Sequence, residues 1–158
     1  AYENLLVVQT FSKSRSLAGM RIGYAFGHEK LIRYLNDVKY SFNSYTMNQA
    51  SLECGVEAVK DKAYFEEGIR KIIKTREWAK EELLRLGFRY LDSSANFIFA
   101  THPAYDAKEL FEALKKNGIY VRYWGSERIE QYLRITIGTR EEMEALFAFL
   151  KGYMENRV

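Results

Sequence analysis

The chain has little cysteine, proline or histidine, and two of these shortages close off whole classes of protein. Among 158 residues there is one Cys (Cys54), one Pro (Pro103) and two His (His28, His102). A lone cysteine rules out an intrachain disulfide framework, and no Cys/His cluster has the spacing of a zinc site. A strong excess of one charge is missing too. Lys plus Arg is 24 against 21 for Asp plus Glu, a small and scattered net +3 that argues against a nucleic-acid partner. No apolar run is long enough to span a membrane, and there is no internal repeat or low-complexity tract. The opening Ala1-Tyr2-Glu3-Asn4 runs straight into an apolar stretch without an initiator Met, signal peptide or polar tail. The expectation is a cytoplasmic chain that starts inside a longer one. What the sequence does contain is enough apolar material for a core: hydrophobic residues are 47%, with 12 Tyr and 10 Phe.

Two patterns alternate along the chain. Leu5-Leu6-Val7-Val8 is a continuous apolar run, which predicts a strand buried on both faces in a parallel sheet. Arg21–Phe26 is a second strand candidate, and residues 28–39 predict a helix carrying Leu31, Ile32 and Leu35. Thr46 to about Val59 predicts a helix of small residues (Ala50, Ser51, Cys54, Gly55, Ala58) able to sit close to a neighbour. Residues 63–86 keep a 3.6-residue apolar period through Phe65, Ile69, Ile72, Ile73, Ala79 and Leu83. Arg76 interrupts that stripe and is read as a structural arginine, paired with a carboxylate or a carbonyl.

After Gly87 the period drops to two. Phe88–Leu91, Asn96–Ala100, Ile119–Trp124 and Tyr132–Ile137 predict strands. Asp106 caps one helix, which Asn117-Gly118 stops, and Thr139 with Glu142 forms a capping box for the last. The expected architecture is α/β. Residues 1–60 form an edge of a larger sheet domain, and residues 61–158 form a small α+β domain with helices on one sheet face.

The chemistry concentrates between Thr10 and Tyr24. A lone Ser-Lys pair is ordinarily solvated surface. Lys13, however, follows a predicted buried strand and stands among hydroxyls, with Arg21 eight residues on. A lysine fixed there suits covalent catalysis on an aldehyde cofactor, because desolvation and a nearby cation favour the neutral amine. Thr10, Ser12 and Arg21 would hold a phosphate, and Gly19 would let the backbone approach it. Strand phase adds a second pair. Leu133, Ile135 and Ile137 share one face, so Arg134 points to the other; Arg122 follows the same alternation. His28 and His102 read as surface residues and Cys54 as a packed small one.

Thr10-Phe11-Ser12-Lys13-Ser14-Arg15-Ser16-Leu17-Ala18-Gly19-Met20-Arg21-Ile22-Gly23-Tyr24 resembles the lysine segment of fold-type I, pyridoxal-phosphate-dependent aminotransferases of the aspartate aminotransferase superfamily. Within that group it is most similar to histidinol-phosphate aminotransferases. Ser94-Ala95-Asn96-Phe97, Gly118-Ile119-Tyr120-Val121-Arg122 and Tyr132-Leu133-Arg134-Ile135-Thr136-Ile137-Gly138-Thr139-Arg140-Glu141-Glu142 resemble later family segments in the same order. The resemblance implies Lys13 as the Schiff-base lysine and pyridoxal 5′-phosphate as the cofactor. Thr10, Ser12 and Arg21 would sit on its phosphate, and Arg134, helped by Arg122, on the acidic group of the substrate. The implied reaction moves an amino group between histidinol phosphate and 2-oxoglutarate/glutamate in histidine biosynthesis, in a homodimeric parent.

The same resemblance places the pyridine-binding residues upstream, so the 158 residues alone are expected to be inactive. Two other readings stand beside it. One is a non-catalytic autonomous domain. The other is a threonine-phosphate decarboxylase-like enzyme, similar around the lysine.

Overall fold

A computed structural model describes residues 2–156. The chain divides into two compact units, Ala1–Ile69 and Arg70–Val158, and the boundary falls inside one long helix.

The first unit begins with a hairpin of β1 (Leu6–Thr10) and β2 (Gly23–Gly27), paired antiparallel with Val8 opposite Ala25 and Thr10 opposite Gly23. A parallel neighbour was expected for β1. The twelve residues between the strands turn the chain back on itself, through Ser16 and Arg21 at φ 56° each. They contain only a single 3-10 turn, Ala18–Met20, rather than the crossover helix a parallel pair would need. Burial on both faces was also expected, yet Val8 is 70% exposed and Phe26 62%.

α1 (Glu29–Phe42) starts at His28, whose Nδ1 accepts from Lys30 N–H. α2 (Gln49–Lys60) is capped by Asn48. Of the five small residues expected to pack, Ser51 and Gly55 are buried, and a Cβ on Gly55 would lie 3.0 Å from Ile22 Cδ1, but Ala50 and Cys54 are exposed. Cys54 lies about a hundred degrees round the helix from Gly55. Asp61 joins α2 to α3 (Lys62–Arg85): its N–H bonds Glu57 O, and its carboxylate accepts from Tyr64 N–H.

The second unit carries a four-stranded antiparallel sheet in the order β3-β4-β6-β5, with β3 Arg89–Leu91, β4 Phe97–Thr101, β5 Arg122–Tyr123 and β6 Leu133–Thr136. Side chains alternate across it. Ile98, Ala100, Leu133 and Ile135 are buried with Ala79 and Leu83 of α3 and with Leu110 and Leu114 of α4 (Ala107–Lys116). Met143, Leu146, Phe147 and Leu150 of α5 (Arg140–Glu155) complete the core. Burying each large aliphatic side chain contributes about 1.5–3 kcal/mol, so one sheet face is sealed and the other left open.

The helix ends are built from the signals read in the sequence. Asp106 accepts from Glu109 N–H at 3.0 Å. Thr139 and Glu142 exchange side-chain and backbone bonds at 3.2 and 2.7 Å. Gly87 and Gly118 take φ of 83° and 74°, while Phe88 and Ile119 N–H reach back to Leu83 and Leu114 O. This left-handed stop favours glycine. It also shortens β5 relative to the predicted Ile119–Trp124, because the Ile119 N–H is committed to α4.

Candidate active site

In the first unit the sequence candidates sit where the hairpin opens. Phe11 N–H donates to Ile22 O at 3.1 Å, extending the ladder by one bond, and Leu17 N–H closes onto Phe11 O at 3.1 Å. Lys13 stands on the loop so enclosed and is exposed, not desolvated as the sequence suggested, because β1 is itself largely exposed; its carbonyl accepts from Ser16 N–H at 3.1 Å. The Phe11 ring is buried and meets Tyr24 edge-on at 5.5 Å, which anchors the loop's base.

Thr10 and Ser12 are brought together. Thr10 Oγ1 lies 2.8 Å from Ser12 Oγ and 3.2 Å from Ile22 O, and accepts from Ser12 N–H at 3.1 Å. When Thr10 donates to Ser12, the Ser12 proton is left to point outward. Arg21 turns back, donating to Ala18 O at 3.0 Å. A Cβ on Gly19 would meet open space. Two hydroxyls, a guanidinium and an exposed primary amine make a donor set that fits a phosphate and an aldehyde.

The role of Arg15 is not visible in the sequence. Its guanidinium donates to Ala58 O in the last turn of α2, where carbonyls lack helical partners, and its guanidinium carbon lies 3.9 Å from the Phe65 ring centre. The lysine loop is thereby pinned to α2 and to the start of α3. Ser51 Oγ adds a bond to Met20 O at 3.0 Å.

In the second unit Arg134 and Arg122 are register partners on β6 and β5, on the sheet face away from the helices. Phe99 is opposite Arg134 on β4. Arg134 is half-buried, and its Nε is shut off from solvent with no hydrogen-bond partner among the described residues. Its guanidinium carbon sits 5.2 Å from the Phe97 ring centre and 5.4 Å from that of Trp124. Arg122 lies 5.4 Å from the same indole. The alternation Tyr120, Arg122, Trp124 was visible in the sequence. The sharing of one ring by two arginines was not, because it depends on cross-strand register.

The loop that leads into β4 is braced from α3. Arg76 donates to Ala95 O at 3.0 Å and to Glu77 at 2.9 Å, the carbonyl and carboxylate partners expected of it. Lys80, 8% exposed, bonds Asp92 at 2.8 Å and Glu77 at 3.2 Å. The hydrogen bond to Asp92 holds the Lys80 ammonium above its ordinary pKa, and Lys80 draws Asp92 below the usual carboxylate range. His102 is not the plain surface residue expected. Its Nε2 lies 3.1 Å from Leu86 O, its Nδ1 accepts from Ala104 N–H at 3.1 Å, and its ring packs edge-on against Phe88 and Tyr105. Desolvation pushes its pKa down, the carbonyl bond opposing.

Comparison with known proteins places the chain in a family. The family model for aminotransferase class I and II matches residues 1–150. A histidinol-phosphate aminotransferase from Brachyspira hyodysenteriae is 53% identical over 155 residues, covering 98% of this chain and 44% of the relative. The chain therefore spans less than half the length of the curated relatives it matches. The crystal structure of the histidinol-phosphate aminotransferase from Clostridium acetobutylicum superposes with a TM-score of 0.87 at 25% identity, over 98% of this chain and 47% of that one. That of the Sinorhizobium meliloti enzyme, in complex with pyridoxal-5′-phosphate, gives 0.86 at 25% identity, over 99% and 42%. With a partial fold-type I architecture and a family match along nearly its whole length, the chain belongs to the class I and II aminotransferases.

Proposed function

We propose that this chain is the cofactor-lysine segment and small domain of a pyridoxal-phosphate-dependent aminotransferase. The enzyme would exchange an amino group between histidinol phosphate and 2-oxoglutarate/glutamate in histidine biosynthesis. Residues 1–60 would form an edge of its large domain and 61–158 its small domain, in a cytoplasmic homodimer. The 158 residues span less than half the length of these relatives, and on this reading would not turn over by themselves. The observation that carries the reading is an exposed lysine on a loop pinned by Arg15, directly beside the Thr10–Ser12 hydroxyl pair.

Bound pyridoxal phosphate supplies an electron-withdrawing ring that stabilises negative charge at the substrate carbon. Ser12, Thr10 and Arg21 hold the phosphate. Lys13 Nζ would hold the cofactor through its aldehyde and, once released by an amino substrate, would be the base that moves a proton at the substrate carbon. Arg134, with Arg122 beside it, takes the acidic group: a carboxylate in one half-reaction and a phosphate in the other.

In the full-length protein, Lys13→Ala should abolish the borohydride-fixed cofactor adduct mapped by mass spectrometry. Arg134→Ala should cut amino transfer from histidinol phosphate to 2-oxoglutarate by roughly a hundredfold. An adduct that persists on another lysine would defeat the assignment of Lys13. Carbon dioxide release from a phosphorylated amino acid would replace transamination with the decarboxylase reading.

A further inference from the structure

Arg122 and Arg134 are directly opposite each other on neighbouring strands. Like charges so placed repel, and the ordinary remedy is an interposed carboxylate. Among the described residues, no ion pair to a carboxylate forms at either guanidinium. What both have is Trp124, whose ring centre is 5.4 Å from each guanidinium carbon. Trp124 is held in turn by an edge contact with Phe99 at 6.4 Å, and Phe99 stacks on Tyr132 at 4.6 Å and 11°.

The difference between a ring and a carboxylate is chemical. A carboxylate neutralises a guanidinium and competes with any incoming anion for its N–H groups. An aromatic face attracts the cation through its quadrupole and carries no net charge of its own. Two arginines held by one indole therefore keep both charges for a ligand.

We propose that Trp124 is a positioning residue that sets Arg122 and Arg134 as a pair for a doubly charged oxyanion. A phosphate monoester then engages both cations, whereas a single-charge carboxylate engages one. The inference rests on Arg134 and Arg122 as the arginines for the acidic group, and goes beyond it in naming the side chain that fixes the pair.

The test is isothermal titration of the full chain with inorganic phosphate and with acetate at constant ionic strength. Trp124→Leu should weaken phosphate about tenfold and acetate less than about twofold, and Trp124→Phe should restore most of the difference. If both anions weaken equally, or Phe does no better than Leu, the proposal fails and the indole is packing alone. If Arg134→Gln leaves both anions unaffected, the assignment of Arg134 falls as well, a result separate from the Trp124 outcome. A second readout does not depend on the Leu variant folding. In a Trp78→Phe background Trp124 is the lone indole of two in the sequence. Phosphate should shift its emission saturably and acetate should not; equal responses, or none to phosphate, overturn the proposal.

Discussion

In the second unit Ile98, Ala100, Leu133 and Ile135 are sealed under three helices. In the first, Val8 of β1, Phe26 of β2, and Val38 and Phe42 of α1 face solvent. Both stretches read as apolar in the sequence. The difference lies in who supplies the cover. The second unit closes a core with its own residues, while α1 buries none of its fourteen. An apolar pattern says that a segment is suited to burial; it does not name the surface that meets it.

The largest effect that would break this contrast is a core deletion. Ile98→Ala should lower unfolding free energy by about 2–5 kcal/mol, whereas Val38→Ala should change it by less than about 0.5 kcal/mol. Guanidinium unfolding followed by circular dichroism measures both, and comparable losses would end the contrast. Next in size is the cap of α5, where Thr139→Ala should cost about 1 kcal/mol, read from the shift of the unfolding midpoint.

The smallest is a pH effect confined to the second unit. His102 is packed neutral, and its folded pKa lies below the ordinary value near 6.5 that it regains on unfolding. As pH falls through about 6.5 the unfolded chain takes up the proton first, so the contribution complete above that pH is lost progressively towards the folded pKa. Melting curves from pH 7.5 to 5 should show this loss in the unaltered chain and less of it in His102→Gln. Identical pH dependences would assign the loss to other groups.

Much of the second unit was legible because its signals are local. Asp106, Thr139 with Glu142, and Gly118 act within one turn of helix. The phase of Leu133, Arg134 and Ile135 needs only a two-residue period. The first unit was less legible for the opposite reason. The antiparallel sense of β1 depends on a twelve-residue return, and the exposure of Val8 depends on what else is present. In the candidate site, Lys13, Ser12 and Arg21 are candidates that one contiguous motif offers. Arg15, Trp124 and His102 were missed in their roles, because those roles are contacts across elements: to Phe65, to two neighbouring strands, and to Leu86.

The bond from Arg76 to the Ala95 carbonyl has a consequence for how the sequence can vary. It fixes the chain two residues before β4 begins, while Asp92 is held by Lys80 at the other end of the same loop. One residue inserted between 92 and 96 must either break these anchors or slide β4 by one. A slide would turn Ile98 and Ala100 towards the arginines and Phe97 and Phe99 into the core. Surface loops usually absorb length changes freely. This one is expected to tolerate substitution at Ser94 but not a change in its count of residues, and random insertion libraries should leave 92–96 empty.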